Sequence, residues 1–174
     1  ALHSWFMHIP GLRVVMPYSV QDARDLLIAS VISKDPVIYI DDRWLYQFQD
    51  EVSDVVEFDL NSVKPLIRRL GNDLTIVAAG YSVFQGNEVL ELLALKGITG
   101  DLIDLRQLNP LDLSEVIKSV SKTRRLFVID GSWATTGLSA EVIAGVTESI
   151  SPDLLKTMPK RFRSEEHTSE LQSR

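Results

Sequence analysis

The sequence predicts an α/β protein in two units, and three observations carry that prediction. Short apolar runs bounded by Pro, Gly or charged residues recur along the chain. Between them lie stretches whose apolar residues repeat at helical spacing, and the alternation is interrupted once, between residues 41 and 72. Continuous apolar strands joined by helices build parallel sheets covered on both faces.

The string LRVVM (Leu12–Met16) follows a Pro-Gly turn and stops at Pro17, so it reads as a buried strand. A helix follows, because Ser19 and Asp22 resemble a capping box with Asp in the usual Glu place, and Ala23, Leu26, Leu27, Ser30 and Val31 continue at helical spacing. The run PVIYI (Pro36–Ile40) closes a strand–helix–strand unit. Residues 41–72 mix acids, aromatics and a late Lys-Pro without a sustained period, and read as an interdomain connection able to carry short strands. A second series then begins: strand DLTIVAAG; helix SVFQGNEVLELLALKG, stopped at Gly97; strand DLIDLR; helix DLSEVIKSVSKT, opening on a D-x-x-E pattern at Asp112 and Glu115; strand RRLFVID. After GSWATTG a helix runs from Leu138 to Ile150 with Val142, Ile143 and Val146 along one stripe. Three successive strand–helix pairs make a three-layer αβα domain. The last twelve residues, RSEEHTSELQSR, have almost no apolar content and look like the translation of a sequencing-library adapter, so they and His167 are set apart from fold and function.

Composition narrows the function. Eighteen basic residues against 24 acidic ones give a formal charge of -6 without a basic cluster, which argues against nucleic acid as a partner. With no cysteine there is neither a disulfide framework nor a thiolate metal site. No apolar run reaches the roughly 18 residues of a membrane span and no signal-peptide pattern opens the chain, so no membrane partner is expected. The default address is a bacterial-type cytoplasm, with a mitochondrial matrix as the alternative.

Three places invite a chemical reading. His8 stands before Ile9-Pro10-Gly11, where Pro and Gly shape a turn; it reads either as a general base or, more economically, as a ring bonded to turn carbonyls beside Trp5 and Phe6. His3 has no partner identifiable from spacing. The loop DGSWATTG (Asp130–Gly137) joins a strand to a helix, where backbone amides can hold a phosphate, but it has neither dinucleotide-loop nor P-loop spacing. Packing or an interface at Trp133 is the simpler reading. Asp41 and Asp42 follow a strand end, where α/β sites lie, though paired acids there are more often solvated or salt-bridged.

Longer strings resemble a known family. WFMHIPGLRVVMPYSVQDARDLL followed by DPVIYIDDRWLY is similar to the second half of the pyrimidine-binding domain of thiamin-diphosphate enzymes. DLTIVAAGYSV, DLIDLRQLNPLD and RRLFVIDGSWATTGLSAEV resemble the transketolase C-terminal domain that follows it, and the D-L-R-x-x-x-P-L-D string at Asp104–Asp112 is the most specific piece. The family is the beta subunit of the decarboxylating component of 2-oxoacid dehydrogenase complexes, of the pyruvate, branched-chain and acetoin type. Transketolase proper or deoxyxylulose-phosphate synthase is the alternative within the fold, and an anion-binding module using the DGSWATTG loop is the alternative outside it.

The resemblance implies the end of a pyrimidine-binding domain at residues 1–46, a connection at 47–72, a transketolase C-terminal-like domain at 73–162 and a non-native tail at 163–174. It implies thiamin diphosphate with Mg, held with an alpha subunit, a second beta subunit and a lipoyl acyltransferase core as partners. The family's catalytic glutamate, aromatic residues and His-Ser-Gln string lie upstream of Ala1. No catalytic or cofactor-binding residue is therefore assigned, His8 serving at most behind the reacting groups, and the chain alone is expected to be inactive. The family's structural K+ would sit on backbone carbonyls of Ser30, Ser33 and Asp35. Trp133, Gly131 and Gly137 are the implied interface residues. Asp41 and Asp130 stand where the family often has Glu, keeping charge and shortening reach.

Overall fold

The computed structural model describes residues 2–55, 57–133 and 135–163. A short helix α1 (His3–Met7) leads into β1 (Arg13–Val15), and α2 (Val20–Ile32) crosses over to β2 (Val37–Tyr39), which pairs parallel to β1 with Val14 opposite Ile38. Only the first half of the expected capping box forms: the Ser19 hydroxyl accepts the Asp22 N–H at 3.1 Å. The Asp22 carboxylate turns to the Ser19 hydroxyl and to two arginines instead of reaching back to the Ser19 N–H.

The 41–72 stretch holds 3-10 turns at Arg43–Leu45 and Leu60–Ser62 and a strand, β3 (Leu66–Arg69). Leu60 and Val63 pack with Val15, Leu26 and Ala29 of the first unit, whereas β3 joins the larger sheet. That sheet has the order β3–β5–β4–β7–β8, built from β4 (Leu74–Ala78), β5 (Gly100–Asp104), β7 (Leu126–Asp130) and β8 (Lys160–Arg163). All its pairings are parallel except that of β3 with β5. Arg163 therefore closes a strand, while residues 164–174, the rest of the adapter-like segment with His167, lie outside the described residues.

Strand periodicity sorts side chains to two faces. Leu74, Ile76 and Ala78 of β4 and Leu102 of β5 pack under Val83 and Leu90 of α3 (Tyr81–Ala94). Val77, Ile103 and Val128 face Val116 and Val120 of α4 (Ser114–Thr123) and Val142 and Val146 of α5 (Leu138–Ser149). Each buried Val, Leu or Ile among them contributes about 1.5–3 kcal/mol relative to exposure. A polar seam also fixes α4 to the sheet: Ser119 and Thr123 bond the Thr75 hydroxyl at 2.6 and 2.7 Å, and Lys122 pairs with Asp101 at 2.8 Å. Asp112 caps α4 through the Ser114 N–H at 2.8 Å, but Glu115 pairs forward with Lys118 at 2.7 Å.

A second segment joins the two units. After β5 the chain turns at Arg106 (φ 60°) and forms β6 (Gln107–Asn109), which pairs antiparallel with β1, giving the small sheet β2–β1–β6. Val14 and Met16 share a core with Leu105, Leu108 and the α4–α5 face.

Candidate functional site

Asp130 ends β7 and faces the start of α5. Its carboxylate accepts N–H bonds from Ser132 and Ser139, both at 2.9 Å, the Ser132 hydroxyl at 2.7 Å, and Nε2 of His3 at 3.1 Å. Asp130 is 3% and His3 2% exposed. Burial alone would raise this carboxyl, but the bonds from His3, Ser132 and the Ser139 N–H outweigh it and bring the pKa down to about 2. The Ser132 amide of the DGSWATTG loop and the Ser139 amide in the first turn of α5 are thus occupied by the chain's own carboxylate. Gly137 is required here, since a Cβ would come within 2.5 Å of the Trp133 carbonyl oxygen and 2.8 Å of the Ser132 hydroxyl.

His8 stands apart from this pair, exposed on the wall of an open cleft of about 830 Å³ that Trp5, Asn109, Leu111, Gly137 and Glu141 also line. Its ring bonds no group among the described residues, which corrects the expectation that it braces the turn. Asn109 does that work across 97 residues of sequence, its side-chain amide donating to the carbonyls of Leu12 at 2.7 Å and Ile9 at 3.3 Å.

A pocket of about 200 Å³ opens beyond the ends of β1 and β2, beside Tyr18, Ala23, Asp41, Asp42 and Tyr46. Its acids are engaged: Asp41 accepts the Tyr46 hydroxyl, and Asp42 accepts the N–H groups of Trp44 at 3.2 Å and Tyr81 at 3.3 Å. Asp42 thereby caps α3, whose N-cap is Gly80. At the other end of α2, the Ser30 hydroxyl donates to the Leu26 carbonyl and Asp35 pairs with Arg13 at 2.7 Å, so those side chains are committed. The last turn of a helix nevertheless leaves carbonyls without intrahelical donors, which suits carbonyl ligation of a monovalent cation.

The most extensive charged cluster joins the units. Arg68 on β3 bonds Asp104 at the end of β5 through Nη2 at 2.7 Å and Nε at 3.1 Å, and also reaches Asp22 on α2. Arg106 donates from Nη2 to Asp22 at 2.6 Å and from its backbone N–H to Asp104 at 3.1 Å. Asp104 is 0% exposed, and burial pushes its carboxyl up to about 6 against the opposing pull of Arg68, with the neighbouring Asp22 charge adding to the rise.

Neither the His3–Asp130 pair nor the Asp41–Asp42 pocket presents a free proton-transfer group to a substrate. Among the described residues no three His, Asp or Glu side chains converge to hold a metal ion. All three tryptophans stand at the surface: Trp5, Trp44 and Trp133 are 71%, 70% and 65% exposed. Aromatic side chains are enriched at surfaces that meet a partner. Spacing missed the His3–Asp130 pair and the Arg68 cluster, although the D-L-R string contained two of the latter's members.

The family model of the transketolase C-terminal domain matches residues 63–164. The chain is 37% identical over 148 residues to pyruvate dehydrogenase E1 component subunit beta-2, mitochondrial, of Oryza sativa subsp. japonica, covering 83% of this chain and 39% of that protein. It is 40% identical over 149 residues to pyruvate dehydrogenase E1 component subunit beta, mitochondrial, of Ascaris suum (84% and 41%) and 37% identical over 145 residues to pyruvate dehydrogenase E1 component subunit beta of Rhizobium meliloti strain 1021 (83% and 32%). The chain thus spans well under half the length of these relatives. A solved split gene transketolase, an inactive beta4 tetramer, matches with a TM-score of 0.76 at 19% identity over 98% of this chain and 54% of that one, a likeness of fold.

Proposed function

This chain belongs to the family of transketolase C-terminal domains, and from that membership we propose that it is part of the beta subunit of the thiamin-diphosphate-dependent decarboxylating component of a 2-oxoacid dehydrogenase complex. One observation carries the reading: the similarity to pyruvate dehydrogenase beta subunits spans 83–84% of the chain, taking in both units rather than the larger one alone.

In this reading the reaction is oxidative decarboxylation of a 2-oxo acid with acyl transfer to lipoamide. An alpha subunit carries the cofactor's diphosphate and its divalent ion. The chain contributes a two-unit body and contact surfaces. Trp133, with Gly131 and Gly137 shaping its loop, meets a second beta subunit or the lipoyl acyltransferase core; its exposure beside the tightly tied Asp130 supports this assignment. A structural K+ on the carbonyls of Ser30, Ser33 and Asp35 would close the end of α2, and is checked by a rise in melting temperature in K+ over Na+. No helix among the described residues is long and apolar enough to cross a membrane. A bacterial cytoplasm or a mitochondrial matrix is the proposed address.

The test is to express the intact gene with its alpha-subunit neighbour and assay pyruvate, branched-chain 2-oxo acids and acetoin. Turnover of one of these by the assembly, with none by the 174-residue chain alone, is expected. An assembly that turns over only sugar phosphates would sink the reading in favour of a transketolase.

A further inference from the structure

We propose that the Asp22–Arg68–Asp104–Arg106 cluster is a proton-sensitive clasp between the two units, held closed by acid and eased as pH rises.

Its geometry is that of a joint. Asp22 belongs to α2 of the small unit, Arg68 and Asp104 to neighbouring strands of the large sheet, and Arg106 to the turn that carries the chain from one sheet to the other. One guanidinium, Arg68, serves both carboxylates, and it lies 5.6 Å from the centre of the Tyr18 ring, at the entry to α2. Separating α2 from the sheet therefore breaks the Asp22 bonds to both arginines.

The groups facing Asp104 decide the sign. They are Arg68 from β3, Asp22 from α2, Arg106 from the turn, and the Tyr18 hydroxyl preceding α2. With both acids ionised, two carboxylates share Arg68 out of water and repel each other. Protonating Asp104 removes that repulsion while leaving both arginines on Asp22, so the clasp survives the proton. In an opened joint Asp104 meets water and titrates near its ordinary 3.8, whereas in the closed joint it titrates near 6. Between those values the closed form holds a proton that the open form has lost, so acid favours closure and rising pH favours opening until Asp104 is ionised in both forms. A difference of about two pKa units changes the opening equilibrium by up to about a hundred-fold, of which about ten-fold falls between pH 5 and 7.

Hydrogen exchange of the 174-residue chain, corrected for intrinsic rates, tests this in peptides covering residues 20–32 and 66–69. Opening of both is expected to rise about ten-fold from pH 5 to 7, without a matching rise in residues 138–149. Asp104→Asn should flatten the profile. Independently of whether that variant folds, the carboxyl carbon-13 shift of Asp104 in the wild-type chain should titrate near 6. A flat wild-type exchange profile, an undiminished one in Asp104→Asn, or a carboxyl midpoint near 4 would each overturn the proposal.

Discussion

Asp104 and Asp130 close two strands of the same sheet, both removed from water, yet their carboxyl groups are displaced in opposite directions, to about 6 and about 2. Burial penalises the charge of each. At Asp130 two backbone N–H groups, a hydroxyl and an imidazole meet the carboxylate at the start of a helix, and none of these donors is shared with a second acid among the described residues. At Asp104 a guanidinium and one backbone N–H do the same, but Arg68 is shared with Asp22. Donor number and the neighbouring acid, rather than depth, set the direction of the shift. The Asp130 end is consequently a fixed tie and the Asp104 end a conditional one.

The sharpest way to break this contrast is Arg68→Ala, which leaves two buried acids facing each other. It should lower unfolding free energy by about 3–5 kcal/mol at pH 7, measured in urea, with a smaller loss at pH 5 where Asp104 takes a proton. The pH profile of stability comes next, because the two acids give opposite slopes. Asp130 has its pKa depressed on folding, so its contribution is complete above 3.8 and is lost as pH falls toward 2, a loss of about 2 kcal/mol. Asp104 has its pKa raised, so its effect is most favourable below 3.8 and declines as pH rises through 6. Asp130→Asn should remove the acid limb and leave the other; loss of both limbs, or neither, contradicts the separation. Gly137→Ala forces a Cβ against the Trp133 carbonyl and should cost about 1–2 kcal/mol, read as a lowered melting temperature. Trp133→Ala should change stability of the chain by no more than about 0.5 kcal/mol. It should weaken assembly of the intact subunits, visible by sedimentation; unchanged assembly would remove Trp133 from the interface.

Much of the fold was legible because it is local. Pro and Gly bounded the β1 run, alternation placed β4, β5 and β7 on two-faced layers, and Ser19 announced its helix. β3 was not, since its residues LIRR are a sheet edge with an irregular register opposite β5, and they lack the apolar continuity of a central strand. The charged sites were the least readable. His3 and Asp130 are 127 residues apart, and Arg68 lies 46 and 36 residues from its two acids, distances that no periodicity spans. Asp22 was read through its nearest neighbour Ser19, which it does touch, while its stronger partners waited on the fold. His8 drew notice through its turn, and the bonds holding that turn came from Asn109.

β6 leaves one sheet to complete the other, and this has a consequence for dissection. A matched domain of residues 63–164 expressed by itself would carry β6 with no β1 beside it, exposing Leu108 and an unpaired row of amides. Such an edge is a template for aggregation, so solubility of the larger unit is borrowed from the first fifteen residues or so of its neighbour.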